Sequence, residues 1–480
     1  MGFFLLLLYL VVSYLSPDEL YPELAPYRVI LWIAVAAALA SIPVLARAQW
    51  LTKLPQTYLL LGLLAALMLS HVAHLWFGGA LYAFQSFMPA LVIFFLVCMH
   101  VNTWKRLRIL VFVIFGVALV LLGHGLWALC TGNLASPYLM LMNPESSSPL
   151  IRIRAVGYLS DPNDFAQFLL IVVPLVALAW TKNKNIRNFF LVLVPCTLLI
   201  YGIYLTHSRG ALLALTVLGV ILASRRVPLW VSVGSGTLFF VGLRVFGFTG
   251  GRDVSVEAGT ERIDLWAAGL HMFRTSPLWG VGYGRFPDFA FTPLTAHNSF
   301  VLCLAEVGAI GCSCWLAALV ISFLELDLLS PFSGNFAKSR KKAASEVRED
   351  NKPGANHGLR ANDRPSGKTR FESLSRSQVP GAKTICKENA HDDTERVRRW
   401  ANALRFSLIA FVVTSWFLSR TYTITLYVLL GMTAVLGHLG EGVPRGSRFR
   451  ASWIKITFAV EAATIVVLYA IVRIFGLLVH

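Results

Sequence analysis

Hydrophobic residues fall in long apolar runs separated by short polar punctuation. The runs occupy residues 3–16, 28–46, 57–77, 81–101, 109–130, 165–180, 189–206, 210–224, 229–247, 299–323, 403–419, 421–439 and 453–478. Many approach the ~20 residues that span a bilayer as helix. The pattern predicts an all-α, polytopic transmembrane helix bundle of about 12–13 spans. The boundaries at 77–81 and 419–421 are the weakest, and an even count with one run re-entrant or interfacial fits the same pattern. The amino-terminal run lacks a basic flank and an A-x-A-like cleavage site, so it reads as a retained first span.

Composition agrees with a membrane protein. The 480 residues are 56% hydrophobic and 14% charged, against about 25% charged in a soluble domain. A net charge of +17 invites a nucleic-acid reading. The distribution excludes it, because the cations sit in loops between apolar runs. With the amino terminus inside, the short inner loops hold Arg47 and Lys53, Lys105, Arg106 and Arg108, Lys182, Lys184 and Arg187, Arg225 and Arg226, and Arg445, Arg448 and Arg450. The first outer loop carries Asp18, Glu19 and Glu23 instead. Every short loop follows the positive-inside bias. Outside lie 131–164, the turn at 207–209, and 248–298. These still contain Arg152, Arg154, Arg209, Arg252, Arg262, Arg274 and Arg285, a cationic face that an anionic substrate explains.

The chain divides into amino-terminal spans (1–130), a core (131–325) containing the large extracytoplasmic loop 248–298 with short amphipathic helices, a basic inner segment (326–400), and carboxy-terminal spans (401–480). The basic segment has too few apolar residues to fold alone, so disorder is expected there. Its clusters at Lys338 to Lys342 and Arg396 to Arg399 suit anionic headgroups. The seven cysteines form no disulfide or zinc framework and read as small buried apolar residues.

Candidate chemistry concentrates outside. In GYLSDPN, Asp161 can cap a helix whose first residue is Pro162, turning free N–H groups outward. In THSRG, Arg209 stands at a membrane boundary, where its forked guanidinium suits phosphate oxygens. After Thr260, a possible helix cap, Ile263, Trp266, Leu270 and Phe273 form an apolar stripe suited to the membrane surface. Arg262 and Trp266, four apart, share a face. Gly280 to Gly284 looks like a potassium-channel filter but lacks its threonine, and no strand precedes it as a dinucleotide site requires. It is expected to be a flexible turn. His297 and Asn298 open a span that continues through Glu306, Gly308 and Gly311. Histidine suits acid–base work near neutral pH, while Glu306 lies roughly 13 Å further along a regular helix. No clustered acidic motif suggests a divalent metal.

Taken together, these residues resemble the bacterial O-antigen ligase and polymerase superfamily. Its motif of His, then Asn, Ser or Gln, nine residues, Gly, two residues, and Gly, Thr or Tyr is met by His297, Asn298, Gly308 and Gly311. Pro162-Asn163, Ser208-Arg209-Gly210, Arg262 with Trp266, and Pro277 ahead of Gly280-Val281-Gly282 also fit. The resemblance covers about residues 155–325, and the 327–400 insertion is unusual for it. It implies a metal-independent glycosyltransferase without cofactor at the outer face of the bacterial inner membrane. The donor would be a glycan on undecaprenyl diphosphate, and the acceptor a lipid A-core or another glycan hydroxyl. His297 would act as base, Arg209 and Arg262 would stabilise the diphosphate, and Asn163, Trp266 and Asn298 would contact substrate. Ligase, polymerase and protein-glycosylating variants share this donor chemistry. A transporter without chemistry and a membrane scaffold working through 327–400 are the alternatives. No internal symmetry supports the transporter.

Overall fold

A chain crossing lipid must satisfy its backbone hydrogen bonds internally, and an apolar run with no partner strand does so only as helix. The computed structural model describes residues 1–46, 48–142, 150–245, 256–331, 380–440 and 449–479. Among them the long helices are α1 (Gly2–Leu15), α2 (Val29–Leu45), α3 (Pro55–Val72), α4 (Phe77–His100), α5 (Trp104–Thr131), α6 (Pro162–Val176), α7 (Val194–Leu205), α8 (Arg209–Ala223), α9 (Leu229–Val245), α10 (Val256–Thr275), α11 (Ser299–Leu329), α12 (Pro380–Ser415), α13 (Ile424–Leu439) and α14 (Phe449–Val479). All the expected spans coincide with helices of this set, and α10 is the amphipathic helix of the large loop. Nine described helices are long and apolar enough to cross a membrane, and three shorter apolar ones accompany them. The fold is a polytopic all-α bundle.

Helix α11 is the central post. It packs against α3, α10, α12, α13 and α14, and its Trp315 is among the largest fully buried side chains. Around it, α13 packs on α4, α12 on α6 and α8, and α6 on α7. Peripheral helices expose Trp32, Leu39, Ile42, Phe190 and Leu238, the faces that acyl chains would cover. The six described cysteines are free.

Three expectations change. The segment 131–164 contains a hairpin, β1 (Leu139–Met142) antiparallel to β2 (Leu150–Ile153), with Leu139 opposite Ile153. Helix covers both margins of the basic segment expected to be disordered, because α11 runs to Leu329 and α12 begins at Pro380. Packing explains the second margin: Val397, Trp400, Ala401 and Leu404 are buried, and Arg405 donates to the Leu326 carbonyl at 2.7 Å. Finally, α10 starts at Val256, so Thr260 lies inside the helix and is not its cap. Arg47, Arg252, Arg445, Arg448 and the cluster from Lys338 to Lys342 lie outside the described residues.

The helix ends alternate between two faces of the bundle. One face gathers Lys182 with Glu395, Arg225 with Asn402, and Arg399 on the Leu178 carbonyl. At the other, Glu19 accepts the Gly157 N–H at 2.7 Å and Arg152 meets Thr206. The candidate site lies at this second face.

Candidate active site

Four chain segments build the site, and each is held by a local device. Asp161 caps α6, its carboxylate accepting the Asn163 N–H at 2.6 Å, with Pro162 in the first turn. Buried Arg152 on β2 then ties three segments together. Its Nε donates to the Thr206 carbonyl at 2.7 Å and its Nη2 to Asn163 Oδ1 at 3.0 Å. Thr206 is the C-cap of α7, so this arginine satisfies a helix-end carbonyl. His207 reverses the chain with φ 50°. Ser208 caps α8 by accepting the Ala211 N–H at 3.4 Å, which sets Arg209 as the first residue of that helix.

The third segment is α10. Its Leu265, Leu270 and Met272 are buried, and Gly269 lets it close on α11, since a β-carbon there would stand 2.4 Å from the Val301 side chain. The expected membrane-surface stripe therefore packs on protein. Trp266 Nε1 donates to the Ala296 carbonyl at 3.1 Å, fixing the residue before His297. The fourth segment is the start of α11, where Asn298 Oδ1 accepts the N–H groups of Phe300 (2.9 Å) and Val301 (3.2 Å). His297 precedes this cap with φ 48°, a left-handed conformation that costs a non-glycine residue on the order of 1–3 kcal/mol.

Helix α11 is broken at Gly308, whose φ of 63° and ψ of −168° are non-helical. The glycine-rich stretch docks into that break. Val281 N–H donates to the Ala305 carbonyl (2.8 Å), Gly282 N–H to the Glu306 carbonyl (3.0 Å), and Ala309 N–H to the Pro277 carbonyl (2.8 Å). These bonds use backbone groups that the break frees. A β-carbon on Gly280 would stand 2.3 Å from the Glu306 carbonyl carbon, and one on Gly308 would stand 2.3 Å from Leu278 backbone atoms. The expected flexible turn is thus a backbone clasp. Glu306 belongs to it, its carboxylate lying against the backbone N–H groups of Gly284 and Phe286.

Arg209, Arg262 and His297 share one electrostatic field. Burial, then Arg209, lowers the Arg262 pKa, while Asp161 and Glu261 oppose the shift. An arginine still remains charged at any working pH. Burial first, and the Arg262 charge second, hold the His297 imidazole below its ordinary value of 6.5; Asp161 and Glu261 pull it up and Arg420 pushes it down. The imidazole is therefore neutral at pH 7 and able to accept a proton. A reaction using it as base loses rate as pH falls through that lowered value. Arg262→Ala removes one lowering charge, so the acid limb of its pH–rate profile is expected at higher pH than in wild type. Rates measured from pH 5 to 8 check this, and coincident limbs would contradict it.

The other sequence candidates also hold the scaffold: Asn163 Oδ1 accepts from Arg152, Trp266 Nε1 donates to Ala296, and Asn298 Oδ1 caps α11, while Asn298 Nδ2 is buried with no hydrogen-bond partner among the described residues. Arg154 donates to the Pro137 carbonyl and Arg285 pairs with Asp288. Sequence reasoning gave Asp161 only a cap role and passed over Asp164 and Arg420. An acid in the first turn of one span and an arginine between two fused spans each demand a partner, yet they are 256 positions apart.

Residues 194–316 match the family model described as O-antigen ligase. The match contains Arg209, Arg262, His297 and the clasp. Over this stretch the chain is similar to the O-antigen ligase family. No curated protein and no solved structure matches. The O-antigen ligase region opens with α7 and closes within α11, so the hairpin, the start of α6 and the turn between α12 and α13 are brought to the site from outside it.

Proposed function

We propose that the chain transfers a glycan from undecaprenyl diphosphate to an acceptor hydroxyl, a lipid A-core or another glycan, at the outer face of a bacterial inner membrane. The observation that carries this reading is that Arg209, Arg262 and His297, from three separate elements, are linked through their charges, Arg209 to Arg262 and Arg262 to His297. The anomeric carbon's bond to the phosphate oxygen breaks and the electron pair leaves on the diphosphate. The acceptor oxygen forms the new bond, and its proton goes to His297. Arg209 and Arg262 stabilise the charge gathering on the diphosphate, a role a metal ion plays elsewhere. Inversion at the anomeric carbon is what the superfamily leads one to expect.

Two further features support the reading. Helices α6, α8 and α12, whose site ends carry Asp161, Arg209 and the turn after Ser415, enclose toward their other ends, on the side of Arg399 and Asn402, an apolar groove of about 440 Å³ lined by residues such as Val173, Leu215, Leu218 and Phe406. A polyprenyl chain fits such a surface. The opposite face carries Lys182, Arg225, Arg396 and Arg399, so the positive-inside bias directs the site outward. A polymerase extending the carrier-bound glycan would use the same site with a different acceptor.

Purified protein, lipid-linked glycan and a lipid A-core acceptor, with chelator present, test this. Wild type is expected to transfer, and Arg209→Ala and Arg262→Ala each to lose about 10²-fold. Longer glycan remaining on the carrier identifies a polymerase. Intact donor binding without either product overturns the reading in favour of transport.

A further inference from the structure

The turn between α12 and α13 forms a wall of the site that the ligase match does not include. Phe417 covers Gly210, where a β-carbon would stand 3.1 Å from it. Trp416 packs on Phe300 at 4.9 Å and on Trp266 at 6.5 Å between ring centroids. The Ser299 hydroxyl accepts the Arg420 N–H at 2.8 Å and donates to the Leu418 carbonyl at 2.6 Å, while the Thr421 hydroxyl donates to the Ser299 carbonyl at 2.9 Å. The turn is therefore bound to the first residue of α11, two positions after His297.

Within this turn the Arg420 side chain donates through Nε at 2.5 Å and through Nη2 to the two oxygens of Asp164. The pair is lopsided. The Asp164 side chain is 2% exposed and that of Arg420 is 39% exposed. An arginine serving only to neutralise a buried carboxylate does best buried with it, in mutual low-dielectric contact. This one is gripped along one edge, and among the described residues its Nη1 has no hydrogen-bond partner. Its charge acts on His297, alongside Arg262, Asp161 and Glu261.

We propose that Arg420 is a further substrate-binding residue that donates to the diphosphate of the lipid carrier, and that Asp164 is the positioning residue that presents it. The assignment rests on the glycan-transfer reading. Charge matching favours the diphosphate: a diester diphosphate carries two negative charges and gains a third when its bond to the sugar breaks. Arg209 and Arg262 match two, and Arg420, whose charge Asp164 largely offsets, adds the free Nη1 donor edge that a third phosphate oxygen can use.

The test uses full-length protein in lipid nanodiscs, with donor and acceptor KM measured separately. Inorganic pyrophosphate serves as a turnover-independent probe, read by its shift of the His297 resonance in histidine-labelled protein. Arg420→Ala is expected to raise donor KM about tenfold or more with acceptor KM unchanged, and to abolish the pyrophosphate shift. Arg420→Lys should recover only part, because an ammonium cannot make two parallel bonds to Asp164. Asp164→Asn should raise donor KM with kcat less affected. Should Arg420→Ala not fold, Arg420→Lys decides. Unchanged donor KM with a persisting pyrophosphate shift, or a rise in acceptor KM alone, overturns the proposal. A pyrophosphate shift lost on Arg420→Ala, in protein that transfers no glycan, keeps the anion site and overturns the transfer reading instead.

Discussion

His297→Ala is expected to lower glycan transfer about a thousandfold while donor binding persists. Among Arg209, Arg262 and His297, the imidazole is the one group able to take a proton at neutral pH. Both arginines are locked in their charged form, and Asp161 is occupied as the cap of α6. Donor affinity should survive, because the cations that meet the diphosphate stand on other elements: α8, α10 and the turn between α12 and α13. Alanine at φ 48° adds backbone strain, whose effect on rate has to be told apart from lost chemistry. His297→Asn separates the two, since asparagine tolerates the left-handed region and cannot act as the base. Both variants should therefore be equally inactive, with His297→Asn the more stable. Single-turnover transfer with bound donor measures this. A His297→Asn protein that retains more than about a tenth of wild-type rate would remove His297 from the base role.

The second large effect is structural. Gly308→Ala is expected to destabilise the protein by on the order of 3 kcal/mol and to abolish transfer with it. Its φ of 63° and ψ of −168° lie in a region essentially reserved for glycine. The added β-carbon would also meet Leu278 backbone atoms at 2.3 Å, and backbone cannot swing aside as a flexible side chain can. The clasp must open or α11 must straighten. Either way the bonds to Ala305, Glu306 and Pro277 are lost, and with them the registration of α10 against His297. Gly123→Ala is the control, because a β-carbon there meets nothing within 4 Å. Melting temperature in detergent and transfer rate should both fall for Gly308→Ala and stay level for Gly123→Ala. A wild-type melting temperature for Gly308→Ala would contradict the clasp.

These two expectations draw on different amounts of sequence information. His297 was visible as a titratable side chain at the mouth of an apolar run, in a spaced motif with Gly308. The role of Gly308 was not visible, because a lone glycine in an apolar run is compatible with an unbroken helix. Only the approach of Pro277 to Gly282 shows why a side chain is excluded there. The same holds for Gly280: its place in a glycine-rich string suggested freedom, and its packing against Glu306 shows confinement. Asn163, Trp266 and Asn298 stand near the site as the motifs implied, yet the Asn163 and Asn298 side-chain oxygens and the Trp266 Nε1 are engaged by Arg152, the first turn of α11 and the Ala296 carbonyl.

The order of the helices and the alternation of the loops between two faces were legible from residues alone, and the two arginines and the histidine stood out there as candidates. They follow from local rules: apolar length, the positive-inside bias, capping chemistry and motif spacing. Three features needed the packed chain. Helix α11 is broken, the glycine stretch fills the break, and Arg420 reaches Asp164 across 256 positions to complete the wall of the site. Such features depend on which backbone groups a neighbour leaves unsatisfied and which buried charge lacks a partner. Those are properties of pairs far apart in the chain, and no single stretch of residues contains them.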